Sequence, residues 1–138
     1  MIHIRNAGEI EKISKACQIV KETLELIEDL ISPGVTPMEL DREAEKFIIS
    51  KGAKPGFKGL YGYPATLCVS IDDEVVHGIP NERVLKDGEI ISVDVGSIVD
   101  GYYGDHAKSF MVGQVEAERK KLMDVTRECL TLAIEQAV

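Results

Sequence analysis

The run GEIISVDVGSIVDGYYGDHAKSFMV, Gly88 to Val112, constrains this chain more than any other stretch. Ile90 to Val95 is rich in β-branched residues, Asp100-Gly101 is a strong two-residue hairpin turn, and Tyr102 to Val112 returns as a second strand. With Asp100-Gly101 at the tip, Val99 falls opposite Tyr102, and counting back along both strands sets Asp94 opposite Ala107. Asp105 lies two residues from Ala107, so it shares the face of Asp94 as a diagonal neighbour at roughly 7–8 Å. Asp is depleted in strands, and two like charges this close repel while losing hydration. Three arrangements relieve the conflict: one carboxyl keeps its proton, both stay solvated at a sheet edge, or cations sit between them. Two hard divalent ions bridged by carboxylates are a recurrent hydrolytic arrangement. Two wet Asp side chains, or Asp side chains capping turn amides, are the plainer one.

At 138 residues the expectation is one domain spanning 1–138, long enough to bury about two-thirds of its unfolded surface. The net charge is −8 and no Lys/Arg-rich run occurs, which argues against nucleic acid or an anionic membrane as a partner. MIHIRNAGEIEK has no apolar signal core, and no apolar run is long enough for a membrane span. Cys17, Cys68 and Cys129 form neither a CxxC pair nor a disulfide framework. They suit a reducing cytoplasm and read as small buried hydrophobes.

Along the chain, Asn6 and Glu9 have the spacing of a capping box. Behind them Ile10, Ile13, Cys17, Val20, Leu24, Ile27 and Ile31 recur at threes and fours, predicting an amphipathic helix closed by Ser32-Pro33-Gly34. Thr36-Pro37-Met38-Glu39 starts a second helix, with Leu40, Ala44, Phe47 and Ile48 on its apolar face and Lys51-Gly52 at its end. The two helices are expected to pack as an antiparallel pair. Gly52 to Pro64 is irregular, with Phe57, Tyr61 and Tyr63 either folded back on the core or forming a mobile wall of an apolar pocket. Ala65 to Ile71 reads as a strand, Asp72-Asp73 as a turn and Glu74 to Val76 as a short return strand. His77 follows on a stiff, partly open backbone before Gly78 and Pro80. A last helix begins near Val115 or Glu116, with Leu122, Val125, Cys129, Leu130, Ala133 and Ala137 as its expected buried stripe.

The run YGYPATLCVSIDDEVVHGIP, Tyr61 to Pro80, followed by LKDGEIISVDVGSIVDGYYGDHAKSFMVG, resembles the type I methionine aminopeptidases of the pita-bread metallopeptidase fold. The resemblance runs from the first helix to the last residue, and it rests above all on the VVHGIP stretch and the eleven-residue interval between the two aspartates. It implies an α/β (α+β) chain: the amino-terminal half of a pita-bread fold, with an antiparallel curved sheet and flanking helices. It implies removal of the initiator methionine from nascent proteins with two divalent ions, drawn from cobalt, manganese, iron or zinc. Asp94 and Asp105 match the two aspartate metal ligands. His77 matches a histidine that binds substrate and stabilises the transition state without ligating metal. Phe57, Tyr61, Tyr63 and Cys68 fall where the family builds its methionine pocket. The family's remaining ligands, one His and two Glu, have no counterpart here. Two Asp offer four oxygens at most, whereas hard ions take about six donors each. His106 is next to Asp105 in a strand and so points to the other face. The expectation is weak metal binding and poor or absent turnover, with the rest of the site supplied by a missing carboxy-terminal half or by a homodimer. The alternative is a non-catalytic half-domain that binds a peptide or partner.

Overall fold

The computed structural model describes residues 2–137. In chain order they form α1 (Ala7–Leu30), α2 (Pro37–Ser50), β1 (Lys54–Pro55), a 3-10 turn at Leu60–Gly62, β2 (Leu67–Ile71), β3 (Ile90–Val99), β4 (Tyr102–Met111) and α3 (Ala117–Glu135). This is the expected α/β (α+β) arrangement, an antiparallel sheet flanked by helices. Both predicted capping boxes form. Asn6 accepts from the Glu9 amide at 3.0 Å, and the Glu9 carboxylate accepts from the Asn6 amide at 2.8 Å. Thr36 and Glu39 repeat the exchange at 3.2 and 2.8 Å, with Pro37 at the first helical position. Each box satisfies two amides that have no partner inside the helix.

β3 is the centre of the sheet. It pairs with β1 and β2 on one side and with β4 on the other, always antiparallel. Burial alternates along it: Ile91, Val93, Val95, Ser97 and Val99 are buried. Those residues face α1 and α2 and join Leu67, Val69, Ile71, Leu24, Ile27, Leu40, Ala44 and Ile48 in one core. Two details let α1 lie close to the hairpin. A Cβ added to Gly104 of β4 would stand 2.5 Å from the backbone of Ala16 and Cys17, so only glycine fits there. Beside it the buried Ser97 hydroxyl donates to the Ala16 carbonyl at 3.0 Å.

Along α1 the expected stripe holds at Val20, Leu24 and Ile27 and is corrected towards the start of the helix. Its buried face is Ala16, Ile19, Val20, Thr23, Leu24 and Ile27, while Ile10 and Cys17 are exposed. The helix backbone at Ala16 and Cys17 packs on Gly104, with the Ala16 side chain buried and Cys17 turned outward. Of the three cysteines expected to be buried, only Cys68 is; Cys129 is exposed as well.

Two further expectations fail. Glu74 to Val76 is not a strand. The Glu74 carboxylate accepts from the Ile71 amide at 2.9 Å, while its own amide donates to the Ile71 carbonyl at 3.1 Å. A side chain thus takes the place of a ladder bond, and Val75 and Val76 stay exposed. In α3 no residue is buried: Leu122, Val125, Leu130 and Cys129 are all exposed. The helix stands off from the sheet across an open groove of about 1230 Å³, lined among others by Phe110, Met111, Leu122, Met123 and Leu130. Among the described residues, nothing lies over its apolar arc. The loop of residues 52–64 is less irregular than its glycines suggest, since β1 adds a two-residue rung to β3. No helix among the described residues is long and apolar enough to cross a membrane.

Gly104→Ala tests the packing of α1 on the hairpin. The added methyl meets backbone rather than a yielding side chain, so the variant is expected to lose about 2 kcal/mol or more of stability, read from urea unfolding midpoints.

Candidate metal centre

The hairpin register is the one expected from its turn. Val99 pairs with Tyr102 and Asp94 with Ala107, in an unbroken ladder from Ile90–Met111 to the tip. Asp100 and Gly101 have φ of 50° and 84°, the double positive-φ turn that matches the twist of two-residue hairpins. No bulge interrupts the ladder, so side chains of paired residues share a face. Asp94 therefore lies in a row with Cys68 on β2 and Ala107 on β4, while Asp105 pairs with Gly96. Both carboxylates project from the sheet face opposite α1 and α2. His106 pairs with the buried core residue Val95, so it belongs to the other face, as expected.

The electrostatics of the pair are unfavourable as they stand. Asp94 Oδ1 is buried and has no hydrogen-bond partner. Its burial, reinforced by the neighbouring charge of Asp105, pushes the Asp94 carboxyl up to about 6. An orphaned carboxylate oxygen beside a second carboxylate suits a hard divalent cation. The donor set is nevertheless short. Among the described residues there is no group of three or more His, Cys, Asp or Glu side chains that could hold a metal.

The other predicted site residues fall into two groups. Phe57 belongs with the carboxylates: its ring covers Gly96, and a Cβ there would stand 2.8 Å from the ring. Cys68 also belongs, buried and directly opposite Asp94, with a thiol that burial holds above its ordinary range. Half-buried Tyr63 has its hydroxyl 2.9 Å from the Leu67 carbonyl and 3.1 Å from the Gly78 carbonyl, and burial raises its pKa. His77 is exposed with φ of 59°, in the loop that follows β2. Tyr61 stands apart: it is 102% exposed, with φ of 51°.

Sequence reasoning missed Asp41, which is buried on α2 and accepts from the Thr66 and Leu67 amides at 2.9 and 2.8 Å. Burial raises its carboxyl pKa against the effect of those two amides. It fixes the entry to β2, and so the position of Cys68. A signal was present: Pro37, Asp41, Ala44 and Ile48 follow the helical four-three-four spacing, which sets an acid within the apolar stripe.

Comparisons with known proteins agree with this architecture. Residues 11–138 match metallopeptidase family M24. The methionine aminopeptidase of Clostridium acetobutylicum is 50% identical over 139 residues, covering 100% of this chain and 56% of that protein. That of Clostridium perfringens is 46% identical over 137 residues, covering 99% and 55%. The crystal structure of methionine aminopeptidase from Thermotoga maritima superposes with a TM-score of 0.95 at 42% identity, over 97% of this chain and 54% of that one. Prolidase from Pyrococcus furiosus shares the fold, with a TM-score of 0.80 at 22% identity. The chain spans about half the length of the curated relatives it matches.

The raised Asp94 carboxyl makes a prediction for the metal-free protein. An unfolded Asp titrates near about 4, so between about 4 and 6 the folded state binds more protons than the unfolded one. Stability contributed by this group is present at low pH and is lost as pH rises through 6. Asp94→Asn should flatten that decline and raise the urea midpoint at pH 7, measured with a chelator present.

Proposed function

Because the chain belongs to metallopeptidase family M24, we propose that it carries part of the machinery of a cytoplasmic methionine aminopeptidase, acting on nascent proteins and peptides that begin with methionine. The observation that carries this reading is the buried, partnerless oxygen of Asp94 on the same sheet face as Asp105. Asp94 and Asp105 would hold divalent ions, two in a complete site, and hard carboxylate oxygens accept manganese, iron, cobalt or zinc. When bound, such ions supply Lewis acidity to the scissile carbonyl.

The chain's own residues do the rest. Phe57 over Gly96 and Cys68 opposite Asp94 give an apolar, polarisable wall beside the carboxylates, suited to a thioether side chain. Tyr63 closes that wall from the β2 side, and Tyr61 would join it on substrate binding. His77 would donate a hydrogen bond to the substrate oxygen as negative charge develops there. Four carboxylate oxygens fall short of two ions' needs, so further donors would be required. A carboxy-terminal half or a second copy of the chain would provide them.

A second reading is favoured by α3, whose apolar arc is bare: a non-catalytic half-domain that binds a peptide or partner and self-associates. Methionine release from a Met-Ala-Ser peptide with manganese or cobalt separates the two. The chain alone is expected to release little. The chain supplied with the unmatched portion of a Clostridium relative is expected to gain metal-dependent release, which Asp105→Ala should cut at least about a hundredfold. Release that is indifferent to metal or to Asp105→Ala would end the proposal. Peptide binding without release in every mixture would favour the half-domain.

A further inference from the structure

We propose that Tyr63 and Ser70 are positioning residues: together they clasp Gly78 and thereby fix the direction in which His77 presents its ring to the Asp94–Asp105 face. Its mechanistic meaning rests on the role given to His77 above, but the clasp itself is independent of turnover. Among the described residues, no hydrogen bond is made by the His77 ring or backbone. Its apolar neighbours are solvent-exposed, with Val75 88%, Val76 66% and Ile79 54% exposed. His77 nevertheless holds φ of 59°, a left-handed conformation that is uncommon for a non-glycine residue.

The constraint comes from the next residue. The Gly78 amide donates to the Ser70 hydroxyl oxygen at 3.3 Å. The Gly78 carbonyl accepts from the Val69 amide at 2.8 Å and lies 3.1 Å from the Tyr63 hydroxyl. The orientation of the Gly78 amide is the ψ angle of His77, so holding that amide holds the histidine backbone. Gly78 is pressed so closely to β2 that an added Cβ would stand 2.1 Å from the Val69 carbonyl oxygen. The Tyr63 hydroxyl also reaches the Leu67 carbonyl, and the Leu67 amide is held by Asp41. A continuous polar brace therefore runs from α2 through the start of β2 to the histidine loop. Tyr63 contributes its ring to the apolar wall, while its hydroxyl is committed to the brace.

The test uses the whole chain, metal-free, by NMR, with the His77 ring resonance assigned through His77→Gln. In Tyr63→Phe the ring is kept and only the hydroxyl is lost. The expected result is a displaced His77 ring resonance and about tenfold faster exchange of the Val69 amide, with the β3–β4 amides unchanged. Ser70→Ala should displace the same resonance, and Ser70→Thr, which keeps an acceptor, should restore it. An unmoved His77 resonance in both Tyr63→Phe and Ser70→Ala would overturn the proposal. So would equal acceleration of the β3–β4 amides, which would mark Tyr63 as a general support of the fold. A failed methionine-release experiment would leave these readings unchanged, so the two ideas fail separately.

Discussion

The pairing register of β3 with β4 is the constraint on which the rest of this structure depends. Strand side chains alternate with a period of two, so a slip of one residue would carry Asp94 and Asp105 to opposite faces and bury a charge in the core. The register is fixed twice. The Asp100-Gly101 turn sets it from the tip, and the buried alternation of Ile91, Val93, Val95, Ser97 and Val99 sets it along the strand. Glycines then adapt both faces to the same alignment. Gly104 admits α1 on the helix side, and Gly96 admits the Phe57 ring on the open side.

On the open face the same register creates an electrostatic conflict. Burial and mutual repulsion hold the Asp94 carboxyl near about 6, and one of its oxygens has no partner. The metal-free chain thus sacrifices some stability to keep two acids together, a pattern common where charge waits for a ligand. The surroundings are built to hold that arrangement still. Asp41 reaches from α2 to two amides at the start of β2, Cys68 on β2 faces Asp94, and Tyr63 ties β2 to the loop bearing His77.

How much of this could be read from the residues depends on how local each cause is. Turn chemistry and capping boxes act within a few residues, so the hairpin, its register, both helix starts and the facing aspartates were all legible. The stripe of α1 was legible at Val20, Leu24 and Ile27 but not near its start, where Ala16 is buried and Ile10 and Cys17 are exposed, because the helix backbone there packs on Gly104 some ninety residues later. The stripe on α3 was legible as a stripe, but periodicity says only that a face is apolar and not that anything covers it. The supposed strand at Glu74–Val76 failed because the Glu74 side chain takes the Ile71 amide, a choice that propensity does not record. The partner of the Tyr63 hydroxyl, fifteen residues away at Gly78, was not legible either.

The most direct measurement is a manganese titration of the chain, followed by the loss of the free-ion electron paramagnetic resonance signal. Weak binding is expected, disappearing in both Asp94→Asn and Asp105→Asn and surviving in Asp100→Asn, whose carboxyl is at the exposed hairpin tip. Binding that persists in both of the first two variants would contradict the claim that this hairpin brings its carboxylates together to hold a cation.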